Sequence, residues 1–179
     1  MCTLVFAWQV FLDAPVVAAD LRTTTAPEAF DVFTILGGSI AHLPVTDAGD
    51  TVPAVLESVS ESLRPGGTLL LDFMERGVLE SGHVASHTFD SDRFRVERTV
   101  VTTGEPEGQT GLGATGRYSF AYEIIDSERE ETARVGTTTP VREFRSGALL
   151  GAVLNAGFSE ARLVTPPTHG AGIVARKHE

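Results

Sequence analysis

The stretch Phe30 to Asp72, FDVFTILGGSIAHLPVTDAGDTVPAVLESVSESLRPGGTLLLD, constrains the fold more than any other part of the chain. It reads as strand, loop, helix, turn, strand, with a glycine pair where the first strand ends. Phe30 to Leu36 is too continuously apolar for a strand with one wet face, so it belongs inside a sheet covered on both faces. Asp50 or Thr51 can cap the helix, and Pro53 falls in its first turn, where a missing N–H does little harm. Val52, Val55, Leu56, Val59 and Leu63 share one helical face, and Arg64-Pro65-Gly66-Gly67 ends it. Thr68 to Phe73 follows as a second buried strand. This spacing predicts a right-handed parallel unit, half of a nucleotide-type α/β sheet.

The flanks extend that frame. Leu4 to Leu12 (LVFAWQVFL) reads as a buried strand, Val16 to Ala19 as a short apolar run leading into Asp20, and Thr23 to Pro27 as loop. From about residue 87 to 140 the texture changes to alternation, with Phe94, Val96, Tyr118, Phe120, Tyr122 and Ile124 placed on strand faces between glycine-rich and acidic loops. An antiparallel ribbon inserted into the α/β frame is expected there. Ser146 to Ala156, closed by Gly157, returns to helix with Leu149, Leu150, Val153 and Leu154 inward, and Ala161–Thr165 and Ala171–Arg176 form a final pair of strands. The expected fold class is therefore α/β: a partial doubly wound, Rossmann-like, mostly parallel sheet with an antiparallel insertion and a C-terminal β-hairpin.

Charge narrows the partners. With 24 acidic residues against 14 basic ones, net −10, the chain repels phosphate backbones and has no basic cluster to offset this, so nucleic acid is excluded as a partner. Lys177 is the only lysine, and so acidic a balance suggests adaptation to high salt, where screening shortens self-repulsion. No window approaches the roughly 18 unbroken apolar residues of a membrane span. Met1 to Leu12 lacks a basic flank and a small-residue cleavage site, so a cytoplasmic protein is expected. The single cysteine, Cys2, excludes an internal disulfide and any multi-cysteine zinc site.

Four segments in order resemble the class I S-adenosylmethionine-dependent methyltransferases that act on small molecules. VVAADLR is similar to the family's third strand, FDVFTILGGSIAHL to its fourth strand and following loop, and LRPGGTLLLDF to the turn and fifth strand. VREFRSGALLGAVLNAGFSEARLV is similar to its late helix and sixth strand. The resemblance implies S-adenosylmethionine as cofactor and a small-molecule methyl acceptor. It assigns Asp20, Leu21, Leu36, Gly37 and Gly38 to the cofactor, Ser39 and His42 to the substrate, and His42 to catalysis as a base. In that family a glycine-rich turn after the first strand holds the cofactor's amino-acid and ribose groups, and it would lie upstream of Val16, where 15 residues contain no glycine. The resemblance therefore implies a methyltransferase-like domain over 16–179 that lacks its first motif, with impaired or lost turnover.

Residues 1–15 are expected to be a leader of different origin that could add a strand to the sheet. MCTLVFAWQVFLDAPVVAA resembles the start of the NRDE family, but the motif position reads Asp20-Leu21-Arg22-Thr23. A non-catalytic remnant or interaction module is the alternative function, with a homo-oligomer formed through an exposed sheet edge. An N-terminal cysteine hydrolase resting on Cys2 is a remote one.

Other motifs weigh less. Gly111 to Gly116, GLGATG, fits G-x-G-x-x-G, but Arg117 to Asp126 alternates like a strand where a nucleotide turn needs a helix, so a hairpin loop is expected. His83 and His87 have the i, i+4 spacing of a helical metal pair, with Gly82 beside them and no third ligand, and no metal site is assigned.

Overall fold

The computed structural model describes residues 19–23, 25–46, 49–77, 84–165 and 170–179, except for the side chains of 103–109. The expected leader with Cys2, the expected strand Leu4–Leu12, most of Val16–Ala19, and His83 lie outside the described residues. In chain order the elements are β1 (Phe30–Ile35), a 3₁₀ helix (Ser39–His42), short β2 (Val45–Thr46) and β3 (Gly49–Asp50), α1 (Val52–Ser62) and β4 (Leu63–Phe73). The long strands β5 (Val84–Asp90), β6 (Phe94–Gln109), β7 (Gly113–Asp126) and β8 (Glu131–Phe144) follow, then α2 (Ser146–Asn155), β9 (Phe158–Val164) and β10 (Ala171–Lys177). The architecture is mixed α/β.

The first sheet has the order β1-β4-β10-β9. β1 runs parallel to β4, with Phe33 opposite Leu69 and Ile35 opposite Leu71, and the crossover between them is α1. The parallel unit expected from Phe30–Asp72 is present. The expectation of a mostly parallel sheet is corrected, because β10 pairs antiparallel with both β4 and β9. The connection from β9 to β10 is too short for a crossover, so the chain must run straight back.

Burial follows the helical spacing closely. Val52, Val55, Leu56, Val59 and Leu63 are buried against Leu69, Leu71, Phe73 and Ile173. The Asp50 carboxylate accepts from the Val52 N–H at 3.0 Å, whereas the Thr51 hydroxyl donates away to Pro44 O at 2.6 Å, so Asp50 does the capping. On α2, Leu149 and Val153 are buried and Leu150 partly so, but Leu154 is 42% exposed. Leu154 is one residue past Val153, about 100° around the helix, so it cannot share that face.

β1 departs from expectation. Phe30 and Val32 are 43% and 53% exposed, and only Ile35 is fully buried. Among the described residues this strand pairs on its β4 side alone.

The second sheet, β5-β6-β7-β8, is antiparallel throughout and spans Val84 to Phe144, somewhat longer than the expected 87–140. It joins the core at its root. Phe144 packs edge-on against Phe73 at 6.1 Å, and its N–H donates to Met74 O at 2.8 Å. Beside it, the buried Arg142 donates to both Asp50 oxygens, at 2.7 and 2.5 Å, and to Thr110 Oγ1 at 2.9 Å. The GLGATG stretch is a hairpin connection as expected: Gly111 and Leu112 turn, and Gly113 opens β7. At Gly113 a Cβ would stand 1.9 Å from Glu143 O, so no other residue fits there without parting the strands.

Candidate functional site

The rim of β1 is built by two left-handed glycines and one carboxylate. Gly37 and Gly38 both have φ of +71°, a conformation other residues adopt only with strain, and added Cβ atoms would meet nothing within 4 Å. Backbone geometry, not close approach, requires glycine here. Their N–H groups converge on Asp72 at the end of β4, Gly37 donating to Oδ2 at 2.8 Å and Gly38 to Oδ1 at 2.7 Å. The loop is thereby clamped to the neighbouring parallel strand. Asp72 is visible in the sequence only as a lone carboxylate ending the apolar run TLLLD.

The 3₁₀ helix that follows has two sides. Ser39 and Ile40 line a small apolar cleft of about 30 Å³, also lined by Asp20, Leu21, Ile35, Leu43 and Val55. The Ser39 hydroxyl donates to Leu36 O at 2.7 Å and closes the turn. His42 points elsewhere, its Nδ1 lying 3.3 Å from Pro140 O on β8. A carbonyl only accepts, so this bond requires the proton on Nδ1 and leaves Nε2 to receive one.

Asp20 begins a turn in which Thr23 N–H donates back to Asp20 O at 3.0 Å. Both of its carboxylate oxygens are engaged by Arg22, from the backbone N–H at 3.0 Å and from the guanidinium at 2.5 Å. These hydrogen bonds hold its pKa at about 2, so the group is a carboxylate at any physiological pH.

The expected cofactor and substrate residues thus divide. Asp20, Leu21 and Ser39 share the cleft, Gly37 and Gly38 form the loop above it, Leu36 is 53% exposed at the strand's end, and His42 lies under the antiparallel sheet. Tyr118 stands near that side: its hydroxyl donates to Met74 Sδ at 2.9 Å, and its β-sheet partner Thr139 precedes Pro140. Burial, and secondarily the Glu143 carboxylate, push its phenol pKa upward, so it remains a donor. His87 lies on β5 opposite Arg98, so the helical metal spacing with His83 does not apply.

No protein-family model matches this sequence, and no curated protein matches it either. Solved structures match the fold over nearly all of the chain. DesVI from Streptomyces venezuelae superposes with a TM-score of 0.78 at 18% identity over 92% of this chain. The chain has a methyltransferase fold. CalS10 from Micromonospora echinaspora, an amino pentose methyltransferase solved with S-adenosylmethionine bound, gives 0.71 at 22% identity over 89% of this chain. The sugar N-methyltransferase KedS8 from Streptoalloteichus gives 0.69 at 22% identity over 93%. The chain covers 66%, 63% and 64% of those three proteins, about two thirds of their length. Among the described residues, no helix is long and apolar enough to cross a membrane.

Proposed function

We propose that the chain binds S-adenosylmethionine in the cleft beside the 3₁₀ helix and supports methyl transfer to a small molecule carrying an amine, carboxylate or hydroxyl. The observation that carries this reading is that Asp20 and Leu21 meet Ser39, 18 positions further along the chain, in one apolar cleft at the carboxyl end of β1. Ligands of open α/β sheets bind at that end of the strands. Toward the nucleoside half of the cofactor, Leu21 and Leu43 offer apolar contacts, and Asp20 offers an ionised acceptor for an exocyclic amine once the small cleft widens around it. The bound cofactor would supply an electrophilic methyl group, whose transfer is an in-line displacement that depends mainly on alignment.

The chain's own residues divide the remaining tasks. Asp72 keeps the glycine loop in one conformation, and with it the 3₁₀ helix that walls the cleft. His42 is oriented by Pro140 O so that Nε2 is free to take a proton from an acceptor lying between the helix and β8. The Tyr118 hydroxyl, held by Met74 Sδ, stays neutral.

A second reading, a module that binds no cofactor, is favoured by one observation. The two features most available to a ligand are already satisfied internally, Asp20 by Arg22 and the glycine amides by Asp72. Calorimetric titration with S-adenosylmethionine and its demethylated product separates the readings. Micromolar binding that Asp20→Ala removes supports the first; no heat at millimolar ligand leaves the second. If binding is found, His42→Gln should preserve it while lowering turnover at least tenfold.

A further inference from the structure

Two residues of β8 grip opposite ends of one loop. Pro140 O meets His42 Nδ1 at 3.3 Å, and two residues further on, about 7 Å along the strand, the Arg142 guanidinium donates to both Asp50 oxygens at 2.7 and 2.5 Å. The loop between His42 and Asp50 is stiffened from within. β2 and β3 pair Val45 with Asp50 and Thr46 with Gly49, and the Thr51 hydroxyl donates to Pro44 O at 2.6 Å. Asp50 is therefore fixed relative to Pro44, and only Leu43 separates Pro44 from His42. The Leu43 N–H in turn donates to Ile40 O at 3.3 Å, which ties this stretch to the 3₁₀ helix. A displacement of Asp50 thus reaches the imidazole through few soft joints.

The two grips are unequal. A neutral bond of 3.3 Å is long and weak for an imidazole N–H. The Arg142 pair is charge-assisted and two-pronged, and its side chain is 1% exposed, so each bond is stronger and shielded from water. Thr110 Oγ1 accepts a third bond at 2.9 Å and keeps the guanidinium from turning. The strong contact thus decides where the weak one can form.

We propose that Arg142 is a positioning residue for His42: by holding Asp50 against β8 it keeps Pro140 O within reach of Nδ1, and so keeps the imidazole proton off Nε2. The inference rests on the reading of His42 as the base of methyl transfer. An unrestrained neutral imidazole carries its proton mainly on Nε2, where it cannot receive another; which nitrogen holds it is set by the bond the ring makes. Arg142, acting through Asp50, therefore governs whether the base is ready.

Nitrogen NMR of the imidazoles in the full chain at about pH 8, where histidine is neutral, tests this. The His42 signals among the five histidines are assigned by their loss in His42→Gln. The wild type is expected to hold its proton on Nδ1. Arg142→Met should move at least half of it to Nε2, and Arg142→Lys, which keeps the charge but not the planar fork, should move less. Should Arg142→Met fail to fold, Asp50→Asn removes the charge while keeping a good helix cap, and should give the same shift. Leu149→Ala, which opens a cavity elsewhere in the core, should lower the melting temperature and leave the proton where it is. A wild-type proton on Nε2, one that stays on Nδ1 in the Arg142 and Asp50 variants, or one that moves equally in Leu149→Ala would overturn the proposal. Titration with the demethylated cofactor keeps the two readings apart. A proton that follows Arg142 in a chain that binds no cofactor at millimolar concentration supports the positioning role and overturns the methyltransferase reading. Micromolar binding with a proton indifferent to Arg142 overturns the positioning role alone.

Discussion

The two sheets show how differently the same strand periodicity can be stabilised. In the first, Leu69, Leu71, Phe73 and Ile173 are buried under α1 and α2, and the sheet is held by a dry core. In the second, the buried apolar side chains Ala114, Val141 and Phe144 all lie at the root, where Phe144 joins the core, and the far halves of β5 and β8 are exposed. The second sheet therefore depends on how it is anchored, and the anchor is polar. Arg142 and Asp50, with Thr110, tie β8 and the β6–β7 turn to the start of α1.

Breaking that anchor should give the largest effect. Arg142→Ala leaves Asp50 half-buried without its cation and should cost about 4 kcal/mol, the range for removing one partner of a buried pair, as read by chemical denaturation. Gly113→Ala forces a Cβ against Glu143 O and should cost about 3 kcal/mol, with loss of the β7–β8 pairing at the root visible in amide exchange. An equal stability for wild type and Gly113→Ala would mean that the root can open without consequence.

At the rim of the first sheet, Asp72→Ala releases two glycine N–H groups that solvent partly reaches, so a smaller cost of about 1–2 kcal/mol is expected in thermal melts. Any cofactor affinity measured should fall with it. The pH response sharpens the same contrast. Burial opposes ionisation of Asp50, but the hydrogen bonds from Arg142 and the Val52 N–H outweigh it and lower the carboxyl pKa. A group whose folded pKa is depressed adds stability above its unfolded value near about 3.9, and that stability is lost as pH falls through this range. Denaturation midpoints should therefore drop below about pH 4, and the slope should flatten in Arg142→Met. At the far end, Val135→Ser should change monomer stability by less than about 0.5 kcal/mol, as for other exposed positions.

Much of the first sheet was legible because its signals are local. The apolar stripe from Val52 to Leu63, the proline in the first turn of α1 and the Arg64–Gly67 stop each act within a few residues. The site was only partly legible. Asp20, Leu21 and Ser39, expected at cofactor and substrate, line one cleft, and Asp72 occupies the glycine amides, a contact no local pattern announces. Leu154 was misplaced because neighbouring leucines blur the helical period.

By itself, then, the sequence determined the β1–α1–β4 unit, the antiparallel insertion and the closing hairpin, since turn chemistry and periodic burial are imposed residue by residue. Only the tertiary structure decided that β10 lies between β4 and β9, that Arg142 reaches Asp50 across 92 positions, and that His42 meets Pro140 on β8. Ion pairs and strand neighbours so distant leave no periodic trace along the chain. Packing selects them when the sheets close on one another.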